Sequence, residues 1–259
     1  MIKSLIMILG SIVILHLNDT HSHLDPLKDG TAGVLERAAF IDSVRTARGA
    51  DNVLLLHAGD MGQGSSYFTI FNGDIEIDLA NALGYDCVSL GNHEFDNGIE
   101  ELARRLANLK CPVVCANYDF STFEAGKYVK PYTILYKGGK KIGIVGLLCD
   151  ITRVVSRAIS DRIPKYDTVE AANKWASYLK NEEKCDIVIA LTHLGHSGEG
   201  GVNDIDLIPQ TKDIDVVVGG HSHTKLDEIS WVKNAEGRKI PIVQDWCWGY
   251  QVGMLEINF

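Results

Sequence analysis

The chain has 259 residues, 46% of them hydrophobic, which is enough for one large α/β domain with a filled core. Its formal net charge of -9 argues against a nucleic-acid polymer or an anionic membrane surface as partner, since either would be repelled over most of the protein. The 25 glycines are scattered and the prolines number only 6, so no linker divides the chain and a single domain is expected.

The N-terminus has two readings. Lys3 followed by an apolar run over 5–15 resembles the charged and apolar parts of an export leader, too short to span a bilayer, so no stable membrane span is expected. The segment 11–17 reads equally as a first core strand. Residues 1–11 are therefore set aside as a candidate leader remnant, with the domain proper over 12–259.

Apolar runs rich in Val, Ile and Leu then recur at 12–17, 53–56, 87–90, 113–115, 142–148, 187–191 and 216–218, the pattern of strands buried on both faces. Between them lie helical patterns at 33–47, where Val34, Leu35, Ala38, Ile41 and Val44 share a face, and at 75–83, 99–109 and 168–179. Alternating strand and helix is the mark of a layered α/β protein. Toward the end, 229–233 and 239–243 flank the turn-like Asn234-Ala235-Glu236-Gly237, and 252–259 alternates as a last strand, giving a mixed or antiparallel edge. Cys87, Cys111, Cys115, Cys149, Cys185 and Cys247 show no paired spacing and read as buried thiols, which leans toward a reducing compartment or toward unpaired thiols in an exported protein.

Ligand sites in open α/β sheets gather beyond the carboxyl ends of the strands. The polar residues of this chain follow that rule. Asp19 and His21 come just past the first strand, two residues apart, and can chelate one cation through a carboxylate oxygen and an imidazole nitrogen; alone, the pair also reads as a loop cap and an exposed imidazole. Asp60 follows the second strand behind Gly59, which permits a tight turn, and either bridges two ions or closes an ordinary Asp-Gly turn. In Gly91-Asn92-His93-Glu94-Phe95-Asp96, Asn92 is a neutral oxygen ligand and His93 can address a phosphate. Asp96 can orient His93 and favour its protonated form, while Asp96 or Asn97 can also cap the helix beginning near Ile99. His193 follows the 187–191 strand, and His221 and His223 follow the 216–218 strand behind a glycine pair. Three such histidines joined to two Asp and one Asn are hard to explain as a solvated surface. His16, His23, His57 and His196 lie beside these motifs and read as structural or as supports for the ligands.

These motifs, GDxxxG, GNHEFD, THLG and GGHSH preceded by NDTHSH, closely resemble those of the calcineurin-like metallophosphoesterases, in particular the catalytic domain of the 5'-nucleotidase family. The resemblance covers nearly the whole chain. It implies an α/β fold of four layers, an α/β/β/α sandwich of the metallophosphatase type. It assigns Asp19, His21, Asp60 and His223 to a first metal, Asp60, Asn92, His193 and His221 to a second, and His93 with Asp96 to a catalytic dyad. At the position of His223 the family varies among Gln, Asn and His.

Two divalent cations about 4 Å apart, bridged by Asp60, would generate a hydroxide near neutral pH and hold a phosphoryl group for direct attack. Imidazole and oxygen ligands without thiolate suit Mn, Zn, Fe, Co or Ni. The expected activity is hydrolysis of phosphate monoesters, nucleoside 5'-monophosphates by the resemblance, with a phosphodiesterase or cyclic-nucleotide diesterase as the alternative. A non-catalytic metal-binding docking module is disfavoured because His93 and Asp96 would have no task. The resemblance also implies a periplasmic or extracellular location, and a second, base-recognising domain that this sequence lacks and that a separate chain can supply.

Overall fold

The computed structural model describes residues 10–198 and 200–259, so most of the leader-like stretch lies outside the described residues. The first strand already begins at Ser11, inside the span set aside as a leader remnant. In chain order the elements are β1 Ser11–Leu17, α1 Val34–Arg48, β2 Val53–His57, α2 Ser66–Phe71, α3 Asp74–Leu83, β3 Cys87–Ser89, α4 Ile99–Leu106, β4 Val113–Val114, β5 Val129–Lys130 and β6 Tyr132–Lys137. They continue with β7 Lys140–Leu148, α5 Arg157–Ser160, α6 Thr168–Ser177, β8 Ile187–His193, α7 Asp204–Leu207, β9 Val216–Val218, β10 Ser230–Lys233, β11 Lys239–Val243 and β12 Gly253–Asn258.

The strands build two six-stranded sheets, ordered β12-β1-β2-β3-β4-β5 and β10-β11-β9-β8-β7-β6. The first is parallel from β1 to β5 with β12 antiparallel at its edge. The second is parallel from β7 through β11, with β6 and β10 antiparallel at its two edges. The apolar runs are continuous because both faces of each sheet are covered. In β1, Ile12 and Ile14 point into the seam between the sheets with Leu54, Leu56, Ile144, Ile189 and Val218. Val13 and Leu15 face the other way and pack with Ile41 of α1, Ile77 of α3 and Leu102 of α4. On the far side, Ala172 and Ala176 of α6 and Leu207 of α7 cover Val145, Val188 and Val217. The result is the expected α/β/β/α sandwich. Each fully buried Leu or Ile contributes about 1.5 to 3 kcal/mol, so the seam and the two helical layers supply most of the drive to fold.

Several details differ from the sequence reading. The strand β6 and the short helix α2 were not anticipated. β6 is an edge strand whose residues are mostly half-buried, so it shows no continuous apolar run. α4 ends at Leu106 rather than at 109. α6 gives way at Tyr178 to a turn of wider, i to i+5 hydrogen bonding over Tyr178–Glu182. The cap of α4 is neither Asp96 nor Asn97. It is Gly98, without a side-chain hydrogen bond, so the Asp96 carboxylate is free for His93. All six cysteines are unpaired, and all but Cys111 are buried.

Candidate metal centre

In the parallel register Leu17 lies beside His57, and His57 beside Val88, so β1, β2 and β3 end together. Leu191 lies beside Val218 in the other sheet, which brings the ends of β8 and β9 together as well. The loops leaving both sets of strands meet across the seam. Asp19 donates its N–H to the Gly59 carbonyl at 3.0 Å and His21 donates to the Asp60 carbonyl at 3.1 Å, fastening the first two loops to each other. The His221 N–H reaches from the other sheet to Asp19 Oδ2 at 2.9 Å.

These loops hold their residues in an unusual backbone state. Asp19, His21, Asp60, His221 and His223 all have φ between +47° and +81°. Left-handed backbone at a residue with a side chain costs on the order of 1 to 3 kcal/mol and persists only where the surroundings enforce it. For Asp60 the enforcing group is Glu94, a buried carboxylate that the sequence reading left without a task. Its Oε2 accepts from the N–H of Asp60 at 2.9 Å and of Gly91 at 2.5 Å, and its Oε1 accepts from the N–H of Met61 at 2.8 Å. Gly91 packs so tightly against Asp60 that a Cβ there would run into the Asp60 carboxylate and N–H. Asn18 plays a similar part for the first loop, donating to Asp19 Oδ2 at 2.7 Å and to the Trp246 carbonyl at 2.7 Å.

The predicted ligands fall into overlapping groups whose donor atoms lie within 4.8 Å of one another: Asp19 with His21 and His223, and Asp60 with His193 and His221. A third group joins His21 and Asp60 to His93. Asn92, also predicted as a ligand, is buried and lines the same cleft. The donor atoms have the free valences that a cation requires. Asp19 is fully buried, yet its Oδ1 accepts no hydrogen bond, although His223 Nε2 stands 3.4 Å away and the Nε2 atoms of His21 and His193 each 3.9 Å. His193 Nδ1 sits 2.7 Å from the Ala58 carbonyl, so that nitrogen donates there and Nε2 is the atom left facing the other ligands. That Nε2 is also buried without a hydrogen bond; Asp60 Oδ2 is 3.0 Å away but out of line. His21 Nδ1 is 3.3 Å from the Gly62 carbonyl, which leaves Nε2 turned toward His223 Nε2 at 2.9 Å. Two imidazole nitrogens approach so closely only where a proton or cation is shared between them. Converging oxygen and imidazole donors fit divalent cations of the borderline class.

Electrostatics agrees. Burial disfavours charge on His193, but Asp60 and Asp19 overcome it and raise its pKa to about 10. Burial would raise the Asp60 pKa too, yet His193 holds it below the usual carboxylate range. His221 is pushed down to about 4 by burial and by His193. Without a cation, the buried His193 therefore carries the positive charge that the Asp60 carboxylate demands, while His221 beside it stays neutral.

The predicted dyad forms. His93 Nδ1 lies 2.9 Å from Asp96 Oδ2, while the His93 N–H donates to Asp60 Oδ1 at 2.8 Å. Burial opposes charge on His93, but the Asp96 hydrogen bond and the nearby Asp60 outweigh it and raise its pKa. His21, Asp60, Asn92, His93, His221 and His223 line an open cleft of about 610 Å³, with Asp19 and His193 fully buried beneath. Among the remaining histidines, His57 is buried with Nε2 3.1 Å from Thr20 Oγ1, His16 is buried, and His196 Nε2 meets Ser230 Oγ at 3.0 Å. His23 goes beyond the supporting part expected of it, because it lines the cleft beside Trp248, a residue the sequence reading passed over.

This fold and this constellation define the class: the profile of the calcineurin-like phosphoesterases matches residues 12–225, and the chain belongs to that family. Among its relatives, the snake venom 5'-nucleotidase of Naja atra is 34% identical over 96% of this chain and 50% of its own length. The trifunctional nucleotide phosphoesterase of Bacillus subtilis is 31% identical over 97% of this chain and 18% of its own. The crystal structure of a 5'-nucleotidase precursor from Thermus thermophilus superposes with a TM-score of 0.86 at 34% identity, covering 96% of this chain and 51% of that one. The chain thus spans about half or less of the length of these relatives.

Proposed function

We propose that this chain is a metal-dependent phosphomonoesterase domain of the 5'-nucleotidase type, releasing phosphate from nucleoside 5'-monophosphates, with Asp19, His21, Asp60, Asn92, His193, His221 and His223 holding two divalent cations. The observation that carries it is the convergence of the candidate ligand atoms, with Asp19 Oδ1 and His193 Nε2 buried and without hydrogen bonds, beside the His93–Asp96 pair. Cations bound there supply Lewis acidity toward phosphoryl oxygens and make water acidic enough to act as nucleophile. The chain's own residues do the rest. Asp60 groups with His193 and His221 on one side and with His21 on the other, so it would link the two sets of ligands. With Nδ1 committed to Asp96, His93 has only Nε2 to offer a phosphoryl oxygen or the departing alkoxide, and the Asp96 hydrogen bond favours the protonated form. Asp19 and His193 lie below the cleft floor and shape the ligand set without meeting solvent.

The relatives extend well beyond the matched region, which supports a second module that completes recognition of the base in the full assembly. An exported location belongs to the same reading; fractionation of cells producing the chain checks it. For the activity, metal-stripped protein is loaded with Mn, Zn or Co and assayed for phosphate release from AMP, and for p-nitrophenol release from mono- and bis-p-nitrophenyl phosphate. The monoester is expected to be favoured. A preference for the diester would replace this reading with a phosphodiesterase.

A further inference from the structure

We infer that Trp248, backed by His23, is a specificity wall for the leaving group, so that this domain by itself prefers phosphate esters whose leaving group is a flat aromatic ring. The inference rests on the phosphomonoesterase reading above.

Trp248 lines the same cleft as the ligand histidines and is 36% exposed, an unusual state for a residue of its size. Its indole is not loose. One contact is a stack on His23, with ring centroids 5.2 Å apart and planes at 20°. Tyr250 meets it at 83° with centroids 5.5 Å apart, and Tyr250 does not line the cleft. Both members of the stack are tied to the backbone of the first ligand loop. The Trp248 N–H donates to the Asp19 carbonyl at 2.6 Å, and His23 Nδ1 lies 2.9 Å from the His21 carbonyl. Arg37 Nη2 adds a 2.6 Å bond to the His23 carbonyl. Trp248 itself has φ +60°, a conformation that a bulky side chain avoids unless held there. A centroid spacing of 5.2 Å leaves no room for a ring to slide between the two, so a guest ring must pack on their cleft-facing surface.

The position suits the leaving group. Trp248 stands one ring away from His223, centroids 6.5 Å apart at 72°, and His223 Nε2 is 3.4 Å from Asp19 Oδ1. A phosphoryl group seated over the ligand groups therefore carries its ester substituent within reach of the indole. The half-exposed Val154 is the other apolar residue of the cleft. A rigid, pre-ordered aromatic surface favours aromatic partners over aliphatic ones of similar area, because ring-on-ring contact adds roughly a three- to tenfold preference beyond burial.

The test uses the whole chain loaded with Mn. Binding of phenylphosphonate and of cyclohexylphosphonate, neither of which can be hydrolysed, is followed by quenching of tryptophan fluorescence and by calorimetry; in parallel, kcat/KM is measured for benzyl phosphate and cyclohexylmethyl phosphate, whose alkoxide leaving groups are of similar basicity. The aryl compound is expected to bind about three- to tenfold more tightly, with a matching ratio in kcat/KM carried mainly by KM. Trp248→Ala should bring both ratios close to one, and Trp248→Phe, which keeps a flat ring, should retain most of the preference. An aryl preference that survives Trp248→Ala, or that Trp248→Phe loses as completely as Trp248→Ala does, overturns the inference. Equal handling of both esters by the unaltered chain overturns it too, while leaving the phosphomonoesterase reading intact. Failure to hydrolyse any ester sinks that reading and this inference together.

Discussion

The Glu94 clamp offers a way to disturb the metal centre without touching a ligand. Glu94→Gln keeps the size of the side chain but replaces one oxygen by an NH2 group. Oε2 accepts two N–H groups, from Asp60 and Gly91, and Oε1 accepts one, from Met61. The least harmful arrangement keeps the amide oxygen at the Oε2 position and turns the NH2 toward the Met61 N–H, donor against donor. One buried N–H then loses its partner, which costs about 1 to 3 kcal/mol. Taking about 2 kcal/mol, and about 2 to 4 °C per kcal/mol for a chain of this size, the metal-free melting temperature should fall by about 4 to 8 °C. The Asp60 backbone, held at φ +56°, loses part of what enforces that conformation, so divalent metal affinity should drop by about ten- to a hundredfold, as for other groups that orient ligands. Thermal melts in chelator and calorimetric metal titration read the two effects separately. A melting temperature within about 1 °C of the parent together with unaltered metal affinity would refute the claim that Glu94 enforces the Asp60 turn.

The remaining expectations concern ligands, dyad and substrate. Elemental analysis after loading and desalting should find two transition-metal ions per chain; one ion or fewer, with Asp60→Asn no different from the parent, defeats the two-metal arrangement. His93→Ala should retain both ions and lose about a hundredfold to ten-thousandfold in kcat, whereas Asp96→Asn should lose less; loss of metal from the His93 variant would show that it belongs with the ligands. The chain alone should discriminate poorly between AMP and other monoesters, with KM for AMP about ten- to a hundredfold above that reached when a matching second module is added in trans. A thousandfold preference of the isolated chain for AMP over a simple sugar phosphate would place base recognition within these 259 residues.

The sequence disclosed those parts of the site that depend on position along a single strand. Asp19, Asp60 and His221 each follow a buried parallel strand and His193 ends one, and the sheets carry such positions to one rim, so a one-dimensional pattern sufficed. Glu94 was opaque because its role comes from a loop folding back to collect N–H groups from two segments more than thirty residues apart. Trp248 was opaque for a related reason. Its place in the cleft depends on a left-handed turn and on a hydrogen bond to Asp19, neither of which the run Trp246-Cys247-Trp248 announces. In the fold, strands buried on both faces announced themselves, while β6, half-buried at an edge, lacked both the continuous apolar run and a clean alternation. The split role offered for Asp96 needed three dimensions to resolve, since capping and His93 support look alike until the helix start is seen at Gly98.

The pairing of β1 with β12 ties the two ends of the described chain to each other, so the first sheet is completed only when both are present. Ser11 lies opposite Asn258 and His16 opposite Gly253, so the strand that leads into Asp19 and His21 gains its outer neighbour only from residues made much later. The proposed ligand set opens at Asp19 and closes at His223. The two sheets are held by apolar burial together with hydrogen bonds such as that from the His221 N–H to Asp19 Oδ2, so the frame around the proposed ligands closes only when both ends of the described chain are in place.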